Sequence, residues 1–286
     1  MKLISQSYNI LGTPESLEEA WEFVEKATRC CYQSEKKDNT ETSEQFCRRI
    51  LLKHKDWVKN HGAMLEHGTV YLTMPADTIV PIYANNWYRY AKNKYSTDPI
   101  SDGNGNVLIT TNLRVILENG WEEDLKFACA PTKYHEKRYT VNLITALHVY
   151  KDLTRHRVMS YGIESTRFCN YLKEKFGGSI AFINPIWLKP EDLEEFKKDC
   201  AEVESIYFKW IQKGYKAQEA AYFLCQGIKG EVYMTGTAKD WEHLFILRSH
   251  IAASGPPHPM VLEAIEPVYQ EFVNRNYIEA LDGIKN

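Results

Sequence analysis

Segments typical of strands and segments typical of helices follow one another along this chain without strict alternation. The run "HGTVYLTM" is rich in β-branched and aromatic residues, as strands are. The run "PEDLEEFKKDCAEVESIYFKWIQKG" has apolar residues at helical spacing and ends at a glycine. A doubly wound parallel sheet would need regular alternation of the two kinds of segment. The order therefore predicts an α+β fold, with mixed helices around a central twisted β-sheet.

The region from residue 75 to about 137 is less regular than the rest of the chain. It contains the turn-rich run "DGNG", then a predicted strand through Val107 to Thr111 and a predicted helix. Because no linker rich in proline, glycine or serine flanks it, this region is predicted to be an insertion or lid. We therefore expect a single domain over residues 1–286 that carries this insertion.

The charge balance and the cysteine pattern exclude several classes of protein. The net charge of −3 argues against general binding to nucleic-acid polymers or anionic membranes. No run approaches about 18 apolar residues, and the first residues lack the apolar core of a signal peptide. The seven cysteines form no CxxC pair and no Cys/His metal spacing. We therefore expect reduced thiols, no bound metal and a cytoplasmic protein.

A dense cationic cluster lies at residues 155–168, "RHRVMSYGIESTRF", on this mildly acidic chain. Guanidinium groups bind phosphate through paired N–H donors, and hydroxyl groups complete such pockets. The cluster thus offers candidate ligands for a small anion such as a mononucleotide or dinucleotide: Arg155, Arg157, Ser165, Thr166 and Arg167. The alternative is a solvated loop, or a structural set of ion pairs with Glu164. The spacing alone leaves both interpretations open.

The same cluster has the spacing RHR, seven residues, then Ser, which resembles the signature of the flavin-dependent thymidylate synthases. A His-Pro pair before the last predicted helix, His258 and Pro259, also resembles that family. The region 75–137 resembles its longer, insertion-bearing branch. Four further blocks resemble the family in the same order: "TRCCYQS" near the start, "MLEHGTVYL" at 64–72, "ESTRFCNYLKEKFG" after the RHR motif and "MTGTAKDWEHLFILR" at 234–248.

This resemblance implies a reaction and a set of partners. Such enzymes are homotetramers that bind FAD between subunits and methylate C5 of the uracil ring in dUMP. The carbon comes from methylenetetrahydrofolate, and the hydride comes from FAD that NADPH has reduced. No cysteine attacks the ring in this family, and a cation instead stabilises the charge that develops on it.

The resemblance also assigns roles to residues by position. Arg248 matches the arginine that pairs with the uracil edge and is the predicted catalytic residue. His67 matches a position on the strand beside the flavin and the folate. The residues implied in FAD binding are Thr69, Arg155, His156, Arg157, Thr237, Ala238, Lys239 and His243. The residues implied in dUMP binding are Asp152, Arg155, Glu164, Ser165, Thr166, Arg167 and Arg248.

Three of these residues have structural alternatives. His243 is predicted to lie in a helix among large apolar side chains, so it could be a core histidine. Arg248 at a helix end could interact with the helix dipole. His67 would be a structural residue if it lacked its "LEHG" context.

The sequence departs from the family at the nucleotide end of the site. The run "AQEAAYFLC" aligns with a block that reads Ala-Arg, two residues, Leu-Pro. Ala221 thus replaces an arginine that binds the dUMP phosphate from a neighbouring subunit, and Cys225 replaces the proline. Loss of one charge-assisted contact weakens binding by about 1.5–3 kcal/mol. The candidate compensating cations are Lys151, Arg138 and Arg114.

Further departures keep three functions open. Asp152 stands where Gln or Glu is common, and Gly162 with Ile163 replaces a polar pair. The first function is a thymidylate synthase, and the second is a flavin- and folate-dependent enzyme that modifies another pyrimidine nucleotide. The third is a non-catalytic flavin- or nucleotide-binding relative, against which the complete RHR motif and Arg248 argue. The insertion could shape the folate entrance, extend a subunit interface or rebuild the phosphate site.

Overall fold

The structure, a computed structural model, describes residues 1–34, 40–76, 87–173, 177–252 and 255–281. Its strands are β1 (Lys2–Ile4), β2 (Ser7–Gly12), β3 (Thr69–Pro75), β4 (Ile100–Ser101), β5 (Asn106–Asn112), β6 (Arg138–Ala146), β7 (Ser160–Ile163), β8 (Ala181–Ile183) and β9 (Lys229–Thr237). Its α-helices are α1 (Leu17–Tyr32), α2 (Ser43–Leu51), α3 (Tyr88–Ala91), α4 (Leu113–Glu118), α5 (Leu147–Leu153), α6 (Leu193–Gln212), α7 (Ala217–Ala220), α8 (Ala238–Arg248) and α9 (Pro259–Asn274).

A four-stranded antiparallel sheet, in the order β2-β6-β9-β7, forms the centre of the fold. Strands β6 and β9 pair over nine residues each, from Arg138 opposite Thr237 to Ala146 opposite Lys229. Strand β7 lies at the edge, with Ser160 opposite Thr235 and Ile163 opposite Val232. The sheet therefore brings the start of β6, the start of β7 and the end of β9 to one end. Glu164 follows β7 at the opposite end.

Helices α5, α8 and α9 pack on this sheet and form the largest apolar cluster. Trp241, Phe245 and Phe272 are fully buried there, and their rings lie 5.0–5.7 Å apart. The indole N–H of Trp241 donates a hydrogen bond to the Tyr139 carbonyl at 3.1 Å, so the buried ring keeps a polar partner. This packing fixes α8 on the sheet, and with α8 the position of Arg248.

A second cluster forms around a three-stranded antiparallel sheet, in the order β3-β5-β4, with α1, α2 and α4. Strand β5 lies in the predicted insertion and pairs with β3 from Asn112 opposite Thr69 to Asn106 opposite Pro75. The predicted strand and helix of the insertion are confirmed by β5 and α4. Residues 77–86 of that region lie outside the described residues. The insertion is therefore part of the second cluster in the described ranges.

A third cluster surrounds α6, α7 and β8, and β8 pairs in parallel with β1. Helices and antiparallel strands mix without alternation, so the predicted α+β class is confirmed. The strands divide among three sheets within the described ranges. No helix in these ranges has both the length and the apolar composition that a membrane-spanning segment needs. The single domain over residues 1–286 stays a prediction.

The apolar pattern after residue 43 predicts a helix that continues to near Gly62, and this prediction is wrong. Helix α2 ends at Leu51. The Asn60 side chain accepts a hydrogen bond from the His54 N–H at 2.9 Å and donates one to its carbonyl at 2.8 Å. Asp56 accepts a further bond from the Val58 N–H at 3.2 Å. These bonds between side chains and backbone replace the helical ones.

Gly68 generates a prediction about stability, because three elements meet there. A Cβ atom on Gly68 would lie 2.5 Å from Leu113 Cδ1 and 2.8 Å from Val24 Cγ2. We expect Gly68→Ala to lower the free energy of unfolding by about 1–3 kcal/mol, since the overpacked helices must shift. Urea denaturation measures this. Gly227→Ala is the control, because its Cβ would meet only Cys225 Sγ at 3.8 Å. Equal effects of the two substitutions would contradict the packing argument.

Candidate functional site

The RHR motif lies in the loop that joins α5 to β7. The Tyr161 hydroxyl donates to the carbonyls of Leu153 at 2.6 Å and His156 at 2.9 Å, which closes the loop back on the strand. His156 is buried, whereas Arg155 and Arg157 on either side of it are exposed. The backbone therefore presents both guanidinium groups while the histidine between them packs inward.

Helix α8 forms the other wall of this site. Thr237 caps its first turn, because its hydroxyl accepts from the Asp240 N–H at 3.2 Å while Asp240 accepts from the Thr237 N–H at 2.8 Å. His243 is exposed, so it is not a core histidine, and its ring lies 5.7 Å from that of His156. A cavity of about 470 Å³ lies between the loop and the helix. Its walls are Arg155, His156, Arg157, Val158, His243, Leu247 and Arg248.

Positive charge dominates this cavity, which we call the Arg248 cavity. Within the described ranges, none of Arg155, Arg157 and Arg248 forms an ion pair. The Nε atom of Arg248 and the Nε2 atom of His156 are both buried, and neither has a hydrogen-bond partner in the same ranges. Burial, and then the charges of Arg248, His243 and Arg155, lower the pKa of His156 to about 4. Cations without counter-charges and unpaired buried donors are what an anionic ligand would satisfy.

A second cavity of about 500 Å³ shares Arg157 and Val158 with the first. We call it the Arg138 cavity, because the buried Arg138 guanidinium lies in its wall. Arg138 donates to the Glu66 carbonyl at 3.0 Å, the Thr69 hydroxyl at 3.2 Å and the Ser160 hydroxyl at 3.3 Å. Thr237 and Asp240 also line this cavity. Thr69, which is predicted to bind FAD, thus contacts this cavity through its hydrogen bond with Arg138.

Glu164 lies apart from both of these cavities. It is buried at the far end of β7 and pairs with Lys229 Nζ at 2.7 Å. Burial raises the pKa of the Glu164 carboxyl, although Lys229 acts in the opposite direction. Glu164 lines a third cavity of about 690 Å³, together with Glu231 and Tyr171. Four strand residues separate it from the RHR loop, a span of roughly 13 Å.

The comparisons with known proteins match a segment that contains the RHR motif. The family described as "Thymidylate synthase complementing protein" matches residues 135–266. Flavin-dependent thymidylate synthases from Pyrococcus furiosus and Sulfurisphaera tokodaii are 30% and 31% identical over 96 residues.

The segment from residue 135 to residue 266 is therefore similar to this family. The 96 residues are 34% of this chain and 39% and 36% of those two relatives, so the chain spans less than half of their length. A solved structure of a UMP/dUMP methylase, PolB from Streptomyces cacaoi bound with 5-Br UMP, is 13% identical with a TM-score of 0.45. The superposition covers 96% of this chain and 92% of that one.

The structure divides the residues that the family resemblance implies into two groups. Arg155, His156, Arg157, His243 and Arg248 line the Arg248 cavity, and Thr237 lines the neighbouring one. Ala238 and Lys239 begin α8 but line neither cavity. The second group, Glu164 to Arg167, lies beyond the far end of β7. In that group Ser165 accepts from the Arg167 N–H at 3.3 Å, and Arg167 is exposed.

His67 lies in the protein interior and lines neither of the two arginine cavities. Its Nδ1 is 2.8 Å from the Thr235 hydroxyl, which in turn lies 2.7 Å from the Thr140 hydroxyl. Burial, and then the charge of Arg138, lower the pKa of His67 to about 3, so the ring is neutral at neutral pH. A Cβ on Gly162 would lie 3.2 Å from His67 Nε2, so the glycine leaves room for this ring.

Two residues that line the Arg138 cavity, Arg138 and Glu66, are not among the site residues that the family resemblance implies. The sequence predicts Arg138 only as a replacement cation for the phosphate, and the family resemblance implies no role for Glu66. Glu66 accepts from Arg114 and from the Ser160 hydroxyl at 2.8 Å, and so connects the insertion to the RHR strand. The available signal was the "LEH" block, which places Glu66 next to His67.

The low pKa of His156 can be tested by its titration. Because the folded value of about 4 lies below the unfolded value of about 6.5, the unfolded chain takes up the proton first as the pH falls. This residue should therefore remove stability between about pH 6.5 and pH 4. We expect its ring resonance, assigned by loss in His156→Asn, to titrate near pH 4 in NMR spectra. Added pyrophosphate should raise the midpoint, and a midpoint near 6.5 would contradict the geometry.

Proposed function

We propose that this chain is a flavin-dependent thymidylate synthase. It would convert dUMP to dTMP by reductive methylation, with methylenetetrahydrofolate as carbon donor and FAD, reduced by NADPH, as hydride source. One observation carries the proposal: the guanidinium groups of Arg155, Arg157 and Arg248 border one cavity and have no ion-pair partner in the described ranges. The identity over 96 residues to relatives of that name supports the same activity.

The residues of the two arginine cavities fit the charges of FAD and of a nucleotide. Arg155 and Arg157 would bind phosphate oxygens. Thr237 lies at the start of α8, where the positive end of the helix dipole would attract the same anion. The buried Nε of Arg248 has no hydrogen-bond partner in the described ranges, so it can donate to a bound ligand. When bound, the flavin would supply the hydride.

Arg248 would act on the uracil ring. A fixed guanidinium stabilises negative charge on a heterocycle more strongly in a cavity than in open water. His156 is neutral at neutral pH, so it adds no second charge beside Arg248 and leaves the guanidinium to pair with the ligand. The exposed His243 completes the rim of the cavity.

A second copy of the chain would complete the nucleotide site. The residues implied in dUMP binding lie at opposite ends of β7, with Arg155 and Asp152 on one side and Glu164 to Arg167 on the other. Two subunits that bring the two groups together would let one mononucleotide contact both. This division supports a nucleotide site between two copies of the chain, which is compatible with the predicted homotetramer that binds FAD and dUMP at subunit interfaces.

A second candidate function keeps the flavin and the folate but changes the nucleotide. It is favoured by Ala221, which lies in a short 3-10 helix and offers no charge for a phosphate. Of the three compensating cations, Arg114 already pairs with Glu66 and Glu118. Arg138 is buried against neutral oxygens, and Lys151 is exposed. Arg138 and Lys151 therefore remain the candidate replacements for the missing arginine.

The reaction itself gives the first test. Purified protein should be yellow, release FAD on denaturation and form dTMP from dUMP with methylenetetrahydrofolate and NADPH. Product is measured by chromatography across a panel of dUMP, UMP, dCMP and CMP. A colourless protein that releases no flavin contradicts the proposal, and a better substrate than dUMP supports the second candidate.

Substitution of Arg248 gives the second test. Arg248→Ala should lower kcat by about 100- to 1000-fold, because a fixed cation at the developing charge is lost. Bound flavin, measured from its absorbance, should be unchanged. Arg275→Ala is the control, since Arg275 also ends a helix but pairs with Glu271 on the surface at 2.7 Å. If Arg248→Ala loses the flavin instead, the residue serves the cofactor and its role at the uracil ring is wrong.

A further inference from the structure

The predicted insertion forms one wall of the Arg138 cavity. Lys94, Tyr95, Ser96 and Thr97 lie in this wall, and Arg138 and the RHR residue Arg157 line the same cavity. Backbone and side-chain bonds hold the segment on β5: the Thr97 N–H donates to the Thr110 carbonyl at 2.9 Å, and the hydroxyls of Ser96 and Thr111 are 2.8 Å apart. The wall is thus attached to the sheet of the second cluster.

Tyr95 presents an aromatic face in this wall. Its side chain is 50% exposed, although it borders a cavity. Its backbone N–H donates to the Asn93 side chain at 2.9 Å, and the Arg114 guanidinium lies 5.9 Å from its ring centroid. The backbone of Tyr95 is therefore held in place, the ring lies near Arg114, and half of the residue is open to a ligand.

The charges around Tyr95 favour an anion. Arg138 uses three of its N–H groups on uncharged oxygens. Neither Arg138 nor the exposed Arg157 forms an ion pair in the described ranges. The two carboxylates of the cavity are already engaged: Glu66 by Arg114, and Asp240 by the cap of α8. A buried guanidinium without a counter-charge is costly unless a ligand supplies one.

We propose that the insertion segment from Lys94 to Thr97 is a ligand-binding wall, in which Tyr95 stacks on a planar heterocycle whose anionic part binds Arg157 and Arg138. This inference rests on the proposed function, because a flavin dinucleotide and a folate both have this chemistry. In FAD the ring would be adenine, joined to a diphosphate. In the folate it would be the pterin, joined to a glutamate tail.

The test compares two tyrosines with matched surroundings. Lys94 Nζ lies 4.9 Å from the Tyr95 ring, and Lys133 Nζ lies 4.9 Å from the ring of Tyr134, which is 41% exposed. Tyr134 lines neither arginine cavity. Tyr95→Ala and Tyr134→Ala are each made in the full chain. Flavin-free protein is titrated with FAD and FMN by fluorescence, and flavin-loaded protein is titrated with tetrahydrofolate by calorimetry.

Loss of the stacked ring should raise one Kd by about tenfold in Tyr95→Ala and leave Tyr134→Ala unchanged. If Tyr95→Ala binds FAD more weakly but FMN with unaltered affinity, the stacked ring is adenine. If it binds tetrahydrofolate more weakly but FAD with unaltered affinity, the stacked ring is the pterin. Unaltered affinities for all three probes overturn the inference, as do equal losses in both variants. If the unmodified chain binds neither flavin nor folate, the proposed function itself fails.

Discussion

The pairing of β6 with β9 is the interaction on which the rest of the site depends. Its register sets Arg138 opposite Thr237, so the first residue of one strand meets the cap of α8. Strand β7 adds Ser160 opposite Thr235 and brings the RHR loop to the same end. A shift of one residue would turn the side chains of a strand to the other face. Arg138 would then lose its bonds to Thr69 and Ser160.

The sequence alone predicts those helices and strands whose own residues show a clear apolar spacing or a β-branched composition. The apolar spacing of α6 and the β-branched run of β3 each identify an element without help from the rest of the chain. The RHR residues and Arg248 share a cavity although they lie about ninety positions apart. Motif spacing could suggest this proximity only through the family resemblance.

The other features of the fold and of the candidate site depend on contacts between distant residues, which no local sequence pattern encodes. Strand β7 is four residues long within the cationic cluster, and it forms because β9 offers a free edge. Its length separates Glu164 from Arg155, which the sequence had grouped in one nucleotide site. The role of Glu66 likewise arises from Arg114 and Ser160, 48 and 94 positions away along the chain. Such pairs become visible only after the sheets assemble.

The charge of the Arg248 cavity links ligand binding to the stability of the chain. Arg155, Arg248 and His243 all act on the buried His156 in the direction that disfavours its charged form, and Asp152 opposes them only weakly. Like charges held close together destabilise the ligand-free fold, whereas the unfolded chain lets them separate. An anion that binds the folded chain alone removes this repulsion and adds its own binding free energy to stability. The cations that raise ligand affinity therefore also link ligand binding to the stability of the fold.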